Sequence, residues 1–242
     1  MTFELRQHIR RCIKPVYKSL RTRKLKLLLQ LLGTGEQGSL LDVGGGQGLL
    51  EECLPLYRAF RKVVLVNLAV PRVNCEGHDG IRGVIGDGCS LPFRDRAFDW
   101  VFSNAVIEHV GDWKKQRQFA DEIRRVASKG YFVATPNKWF PIDPHTLLPL
   151  YQFIPRGLQR KVVGYSPGFM REYEEINLLS RGQVQSLFPE SVVTETGVPV
   201  FPNSIISYWR AEHATCLVLE QFDTYSDAVA ARANLQSTII GF

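Results

Sequence analysis

The sequence predicts a doubly wound α/β fold: a mostly parallel seven-stranded sheet with an N-terminal helical arm and an insertion after the fifth strand. Three observations point there. Short apolar runs bounded by turn residues alternate with segments of helical period. The run Val63-Val64-Leu65-Val66 is apolar without alternation, as expected of a strand covered on both faces. The residues able to do chemistry follow directly after such runs, and doubly wound sheets bind ligands outside the carboxyl ends of their strands.

Taken in order, residues 3–32 read as helix. Leu5, Ile9, Ile13, Val16, Tyr17 and Leu20 recur at helical spacing, and Pro15 is expected to kink or split the segment. Gly33, Gly35 and Gly38 end it. Strands are expected at 39–43, 62–67, 83–86, 98–103 and 129–135, and helices at 49–59 and 112–127. In the second helix Asp112 near the start and basic residues near the end suit the helix dipole. Residues 71–78 are short and irregular. From 136 to 180, six prolines are mixed with aromatic and apolar residues, a composition too hydrophobic for a linker. This stretch reads as a folded insertion, a lid over the site, with Trp139, Phe140, Tyr151, Phe153, Tyr165, Phe169 and Tyr173 either forming its core or, for some of them, lining an acceptor pocket. Residues 171–175 read as a solvated helix face. A helix at 180–188, a strand at 192–195 and a last strand at 204–209 (or 215–219) follow. The expected divisions are an arm at 1–38, a main domain at 39–210 that holds the insertion, and a C-terminal extension at 211–242 with a helix at 227–235.

Composition bounds the function. The chain has 242 residues and a net charge of +6. Residues 1–33 alone carry +8, so the remainder sums to −2 and the basicity belongs to the arm. Such an arm attracts phosphates of nucleic acid or lipid; otherwise it is a cap packed on the domain, the reading preferred here. There is no apolar run long enough to span a membrane and no secretory signal. Cys12, Cys53, Cys75, Cys89 and Cys216 are scattered and odd in number, so they signal neither a disulfide framework nor a zinc site. Free thiols in a reducing compartment imply a cytoplasmic protein, and no metal is called.

The central motif is Leu40-Leu41-Asp42-Val43-Gly44-Gly45-Gly46-Gln47-Gly48, a strand running into a glycine-rich turn. Glycines let the backbone turn sharply and approach a ligand. Asp42 at the strand end would repel a pyrophosphate but suits a ligand carrying an ammonium. Three further stations follow: Asn67 with Leu68 after the second strand, Gly86-Asp87-Gly88-Cys89-Ser90-Leu91-Pro92-Phe93, and the segment from Phe98-Asp99 through Asn104 to Glu108-His109-Val110.

These four stations, in this order, resemble class I S-adenosylmethionine-dependent methyltransferases, whose fold is Rossmann-like. The resemblance covers residues 39–135 well. It implies that Asp42, Gly44, Gly45, Gly46 and Gly48 face the amino-acid part of S-adenosyl-L-methionine. It likewise implies that Asn67 and Leu68 lie beside the ribose, Asp87, Gly88 and Cys89 beside the adenine, and Asn104 beside the methyl donor. Family members usually carry an acid where this chain has Asn67, whose amide oxygen accepts a hydroxyl hydrogen bond without charge assistance. The segment Thr135-Pro136-Asn137-Lys138-Trp139-Phe140-Pro141-Ile142-Asp143-Pro144-His145-Thr146 is similar to a TPNxxFPxxxHT pattern of one bacterial subgroup.

Two histidines are the candidate catalytic residues. His109 follows the fourth strand and is either a base or a structural histidine. His145 is either a base or substrate contact, with Asp143 raising its basicity if the side chains meet, or part of the lid's packing. Three functions stay open at this level. The first is methylation of a small-molecule or glycan-type acceptor. The second is methylation of nucleic acid gripped by the arm, which the acidic body and the lack of an NPPY- or DPPY-type motif argue against. The third is a non-catalytic binding module that keeps the fold. Assembly into oligomers has no signature in the sequence.

Overall fold

A computed structural model describes residues 3–32, 37–46, 50–69, 80–170, 172–197 and 200–211. One compact unit runs to Trp209 and a second begins at Arg210. The latter, beyond residue 211, falls outside the described residues, and with it the expected helix at 227–235 and the alternative strand at 215–219; residues 71–78 also fall outside them.

The elements are α1 (Phe3–Leu32), β1 (Gln37–Val43), α2 (Leu50–Tyr57), β2 (Phe60–Asn67), β3 (Ile81–Ile85), β4 (Phe98–Asn104), α3 (Trp113–Val126), β5 (Ala127–Pro136), α4 (Arg156–Val162), α5 (Arg181–Leu187), β6 (Val192–Gly197) and β7 (Pro202–Arg210). They build one seven-stranded sheet in the order β3-β2-β1-β4-β5-β7-β6. Strands β3, β2, β1, β4 and β5 pair in parallel, and β6 runs antiparallel to β7. The order reverses beside β1, where β2 lies on one side and β4 on the other, and this switch point places the ligand crevice.

Alternate residues of each strand point to opposite faces, and both faces are covered. Leu41, Val64, Val66, Val101 and Val133 pack with Phe119 and Ile123 of α3 and Leu187 of α5. Leu40, Val63, Leu65, Phe102 and Phe132 pack with Leu25, Leu28 and Leu32 of α1 and Leu56 and Tyr57 of α2. Two covered faces are why β2 reads as a continuous apolar run. Helix α3 starts where expected, because the Asp112 side chain accepts from Lys115 N and caps it. Ser180 and Gln183 form a capping box that opens α5.

Two expectations are corrected. Of the two outcomes expected at Pro15, a kink or a split, the split does not occur: α1 is one helix from Phe3 to Leu32. Pro15 is exposed, so water can take up the carbonyl that lacks its helical partner. Residues 172–176 form no helix; they are irregular chain between α4 and α5. Among the described residues no helix is long and apolar enough to cross a membrane.

Candidate functional site

The turn after β1 is shaped by its glycines and by what lies beneath them. Gly44 adopts φ +87°, where an L side chain is strained, and a Cβ there would run into Val106. Its N–H donates to Val66 O at 2.8 Å, tying the turn to β2. Gly46 is different: the nearest neighbour of a Cβ would be Asn67 Nδ2 at 3.6 Å. Gly48 lies outside the described residues.

Asp42 is almost fully buried. Its carboxylate lies under Gly45, whose Cβ would collide with it, and accepts a hydrogen bond from Tyr57 Oη. Burial pushes its pKa up to about 7, with the Tyr57 hydrogen bond pulling the other way. The carboxyl therefore supports the turn from below.

Asn67 ends β2 and faces the same turn. Its Nδ2 donates to Gly44 O at 3.4 Å and Gly45 O at 3.3 Å, and its Oδ1 accepts from the exposed Leu68's N–H at 2.8 Å. An acid here would set a charge against two carbonyl oxygens; the amide supplies the donor they need. This gives the departure from an acid a structural reason.

Beyond β3, the Asp87 carboxylate accepts from Cys89 N at 2.8 Å, and Asp87 itself is exposed. Gly88 packs so closely over Phe119 and Val43 that a Cβ would not fit. The Cys89 thiol donates to Lys115 O at 3.4 Å, and burial, with the neighbouring Asp87 charge, pushes its pKa up to about 11. At the end of β4, Asn104 Oδ1 accepts from Lys24 Nζ of α1 at 2.9 Å, so a cation of the arm reaches the strand end.

The loop after β4 brings the two histidines together. Ala105 takes φ +58°, a conformation uncommon outside glycine, and starts the loop. Asn177 N donates to Glu108 O at 2.9 Å, and Gln116 Nε2 reaches both Ile107 O and Asn177 O. So clamped, His109 and His145 meet with ring centroids 4.9 Å apart and planes at 85°. His109 Nδ1 lies 3.0 Å from Glu174 Oε1. His145 is buried, with Nδ1 3.5 Å from Asp143 Oδ2 and Nε2 3.8 Å from Glu108 Oε1. Burial opposes a charge on His145, but Asp143, Glu108 and Glu174 outweigh it and hold its pKa above the ordinary histidine value. Asp143 stays below the usual carboxylate range: burial opposes that, and His145 with the Thr146 N–H and hydroxyl overcomes it.

Glu108 is the functional candidate that sequence reasoning passed over. It is fully buried; Oε2 accepts from Thr135 Oγ1 at 3.0 Å, while Oε1 has no hydrogen-bond partner. Its signal was an acid inside the apolar run Val106-Ile107-Glu108-His109-Val110. Glu174, read as part of a solvated helix face, is the partner of His109.

The insertion's core is smaller than expected. Tyr151, Val163 and Met170 form it, with Tyr173 packed alongside. Trp139, Phe153, Tyr165 and Phe169 are exposed instead. Trp139 stacks on Phe153 at 5.6 Å, and Phe169 meets His145 edge-on at 5.5 Å.

The five parallel strands, the antiparallel β6–β7 pair beside β5, and the glycine turn at the switch point match the Rossmann-like fold of S-adenosylmethionine-dependent methyltransferases. Comparison with known proteins agrees: residues 41–134 match the family model of a methyltransferase domain. The chain is 28% identical over 129 residues to the tRNA (carboxymethyluridine(34)-5-O)-methyltransferase of Saccharomyces cerevisiae. That stretch is 48% of this chain and 40% of that relative, so the chain spans well under half of the relative's length. Among solved structures, it resembles a protein of Pyrococcus horikoshii (TM-score 0.54, 20% identity, covering 81% of this chain and 91% of the other). It also resembles geranyl diphosphate C-methyltransferase of Streptomyces coelicolor (TM-score 0.54, 15% identity, 79% of each chain).

Proposed function

We propose that this chain transfers a methyl group from S-adenosyl-L-methionine to a small-molecule or glycan-type acceptor. The cofactor supplies a methyl carbon already activated by its sulfonium. The residues present fit it. Gly44, Gly45 and Gly46 offer a close backbone approach to its amino-acid part, with Asp42 bracing them from beneath. Asn67 and Leu68 border the ribose side, and the exposed Asp87, with Gly88 and Cys89, borders the adenine side. Asn104 would stand beside the methyl donor. The protein's task is then alignment and exclusion of water.

One observation carries the acceptor side: His109 and His145 converge directly after β4, backed by Glu108, Asp143 and Glu174. In this reading the two histidines are the catalytic pair. The exposed Phe169 beside His145, and the Trp139–Phe153 stack, suit a compact acceptor with an apolar or sugar face.

Calorimetric titration with S-adenosylmethionine tests the reading. Micromolar binding is expected, weakened about tenfold or more in Asp87→Ala through loss of a charge-assisted hydrogen bond. A folded wild-type protein that does not bind the cofactor would remove the proposal.

The similarity to a tRNA methyltransferase, together with the basic arm, favours a nucleic-acid acceptor as the second reading. It is separated by salt: RNA binding through the arm falls steeply with ionic strength, and a small acceptor's does not.

A further inference from the structure

We propose that Glu108, His109 and His145 bind a divalent first-row transition ion, Zn²⁺ foremost, through Glu108 Oε1 and the Nε2 atoms of the two histidines. The inference concerns metal binding alone and stands without the methyl-transfer reading; with the ion bound, the two histidines would serve as its ligands and not as proton acceptors.

The geometry supplies the first argument. One ligand atom from each residue lies within 4.8 Å of the others. Atoms so spaced sit no more than about 2.8 Å from a common centre, against the ~2.0–2.2 Å of zinc–nitrogen and zinc–oxygen bonds. Side-chain adjustment of under roughly 1 Å closes that difference.

The donor set is the second. Two imidazoles and one carboxylate suit Zn²⁺ or Fe²⁺ and are poor for Mg²⁺ or Ca²⁺, which take oxygen. Three protein ligands leave a position open to solvent or substrate, and the His109 side chain is 26% exposed, so the site is reachable.

The third argument is the surrounding shell. Metal-binding histidines usually turn their other nitrogen to a carboxylate, which fixes the tautomer and directs the free nitrogen at the metal. Here His109 Nδ1 is bonded to Glu174 at 3.0 Å, while His145 Nδ1 has Asp143 as its nearest carboxylate at 3.5 Å without a hydrogen bond formed. Two histidines from distant segments thus converge with a carboxylate close to the far nitrogen of each.

The fourth is the orphaned oxygen. Glu108 Oε1 is wholly buried without a hydrogen-bond partner, a costly state for a carboxylate. His145 Nε2 lies 3.8 Å away, too far for a hydrogen bond. A cation held between them satisfies the orphaned oxygen. The competing arrangement is an imidazolium held between Glu108 and Asp143 with no metal, and the experiment separates the two.

The full chain, stripped with chelator and dialysed, is titrated with Co²⁺ and followed by visible absorption, then challenged with Zn²⁺. The expected result is one equivalent of Co²⁺ with the intense bands of four- or five-coordinate geometry, displaced by Zn²⁺. Glu108→Gln and His109→Asn each weaken Co²⁺ binding by about 100-fold or more, and Asp143→Asn and Glu174→Gln by about 10- to 100-fold. His8→Ala, on the exposed surface of α1, leaves it unchanged. Circular dichroism confirms that each variant is folded. His109→Asn guards the test, because a half-exposed site tolerates substitution better than the buried His145. Folded wild-type protein that binds no Co²⁺, or binds it as tightly as the Glu108→Gln and His109→Asn variants do, overturns the proposal in favour of the metal-free cluster.

Discussion

Asp42 shows how depth changes what a residue does. Its carboxyl is sealed beneath Gly45 and its pKa is raised to about 7, chiefly by burial. The unfolded chain releases the same proton near the ordinary value of 3.8. Between those values the folded state holds a proton the unfolded chain has lost. Stability from this group is therefore full below about pH 4, falls as pH rises toward 7, and levels off above. Asp42→Asn keeps an acceptor for Tyr57 and removes the titration. The variant is expected to gain on the wild type as pH rises, by on the order of 2–4 kcal/mol at pH 8. Urea unfolding at pH 4, 6 and 8 measures this; a difference that does not change with pH contradicts it. The motif shows an acid near the end of β1, but not that Gly45 and Tyr57 bury it. Depth belongs to the packing of α2, whose Tyr57 seals the carboxylate. Asn67 is similar: the sequence marks it as a departure, and only the two loop carbonyls facing it explain the amide.

At the scale of elements, the segment that carries Asp87 to Cys89 is held from a distance by the last turn of α3. Arg125 donates to Phe93 O at 2.7 Å, Leu91 O at 3.2 Å and Asp95 at 2.8 Å, and pairs with Glu122, which itself accepts from Leu91 N. Removing the guanidinium strands two carbonyls and unpairs Glu122. Arg125→Met is expected to cost about 1–3 kcal/mol and to weaken cofactor binding several-fold. Arg124→Met, which breaks surface pairs to Asp121 and Glu190, is expected to cost under about 1 kcal/mol and leave binding unchanged. Chemical denaturation with parallel calorimetry compares the two. The Leu91-Pro92-Phe93 signature was legible in the sequence, and so was α3, because period and cap are local. The clamp joining them depends on which face Arg125 presents to a loop some thirty residues earlier. The insertion was least legible for the same reason. Its aromatics are spaced by prolines without a period, so nothing local says that Tyr151 turns inward while Trp139 and Phe169 stay exposed.

Over the whole molecule, the sheet separates two apolar layers, and α1 contributes to only one of them. Its buried side chains, among those described, are Leu25, Leu28 and Leu32, all in its last third. Upstream, Arg11, Pro15, Lys18, Ser19, Thr22 and Arg23 are exposed. The charge imbalance of the arm thus coincides with a stretch whose described side chains mostly face solvent, while Lys24 at its boundary reaches Asn104. Both roles assigned to the arm from sequence, basic stripe and packed cap, then fit one helix along different parts of its length. Deleting residues 1–20 should remove half of the arm's net charge, +4 of +8, and cost under about 1 kcal/mol, since exposed positions contribute little. Leu28→Ala should cost about 2–5 kcal/mol, because the cavity would open between α1, α2 and the sheet. Cofactor binding should survive the deletion, because Lys24 remains. Denaturation curves for the two variants, read beside a cofactor titration, decide the matter. If the deletion destabilises as much as the leucine substitution, the first turns of α1 belong to the core. If it costs little but abolishes salt-sensitive adsorption to anionic vesicles or RNA, the arm's first part is a docking element whose partner is polyanionic, anchored to the domain by the leucines that follow it.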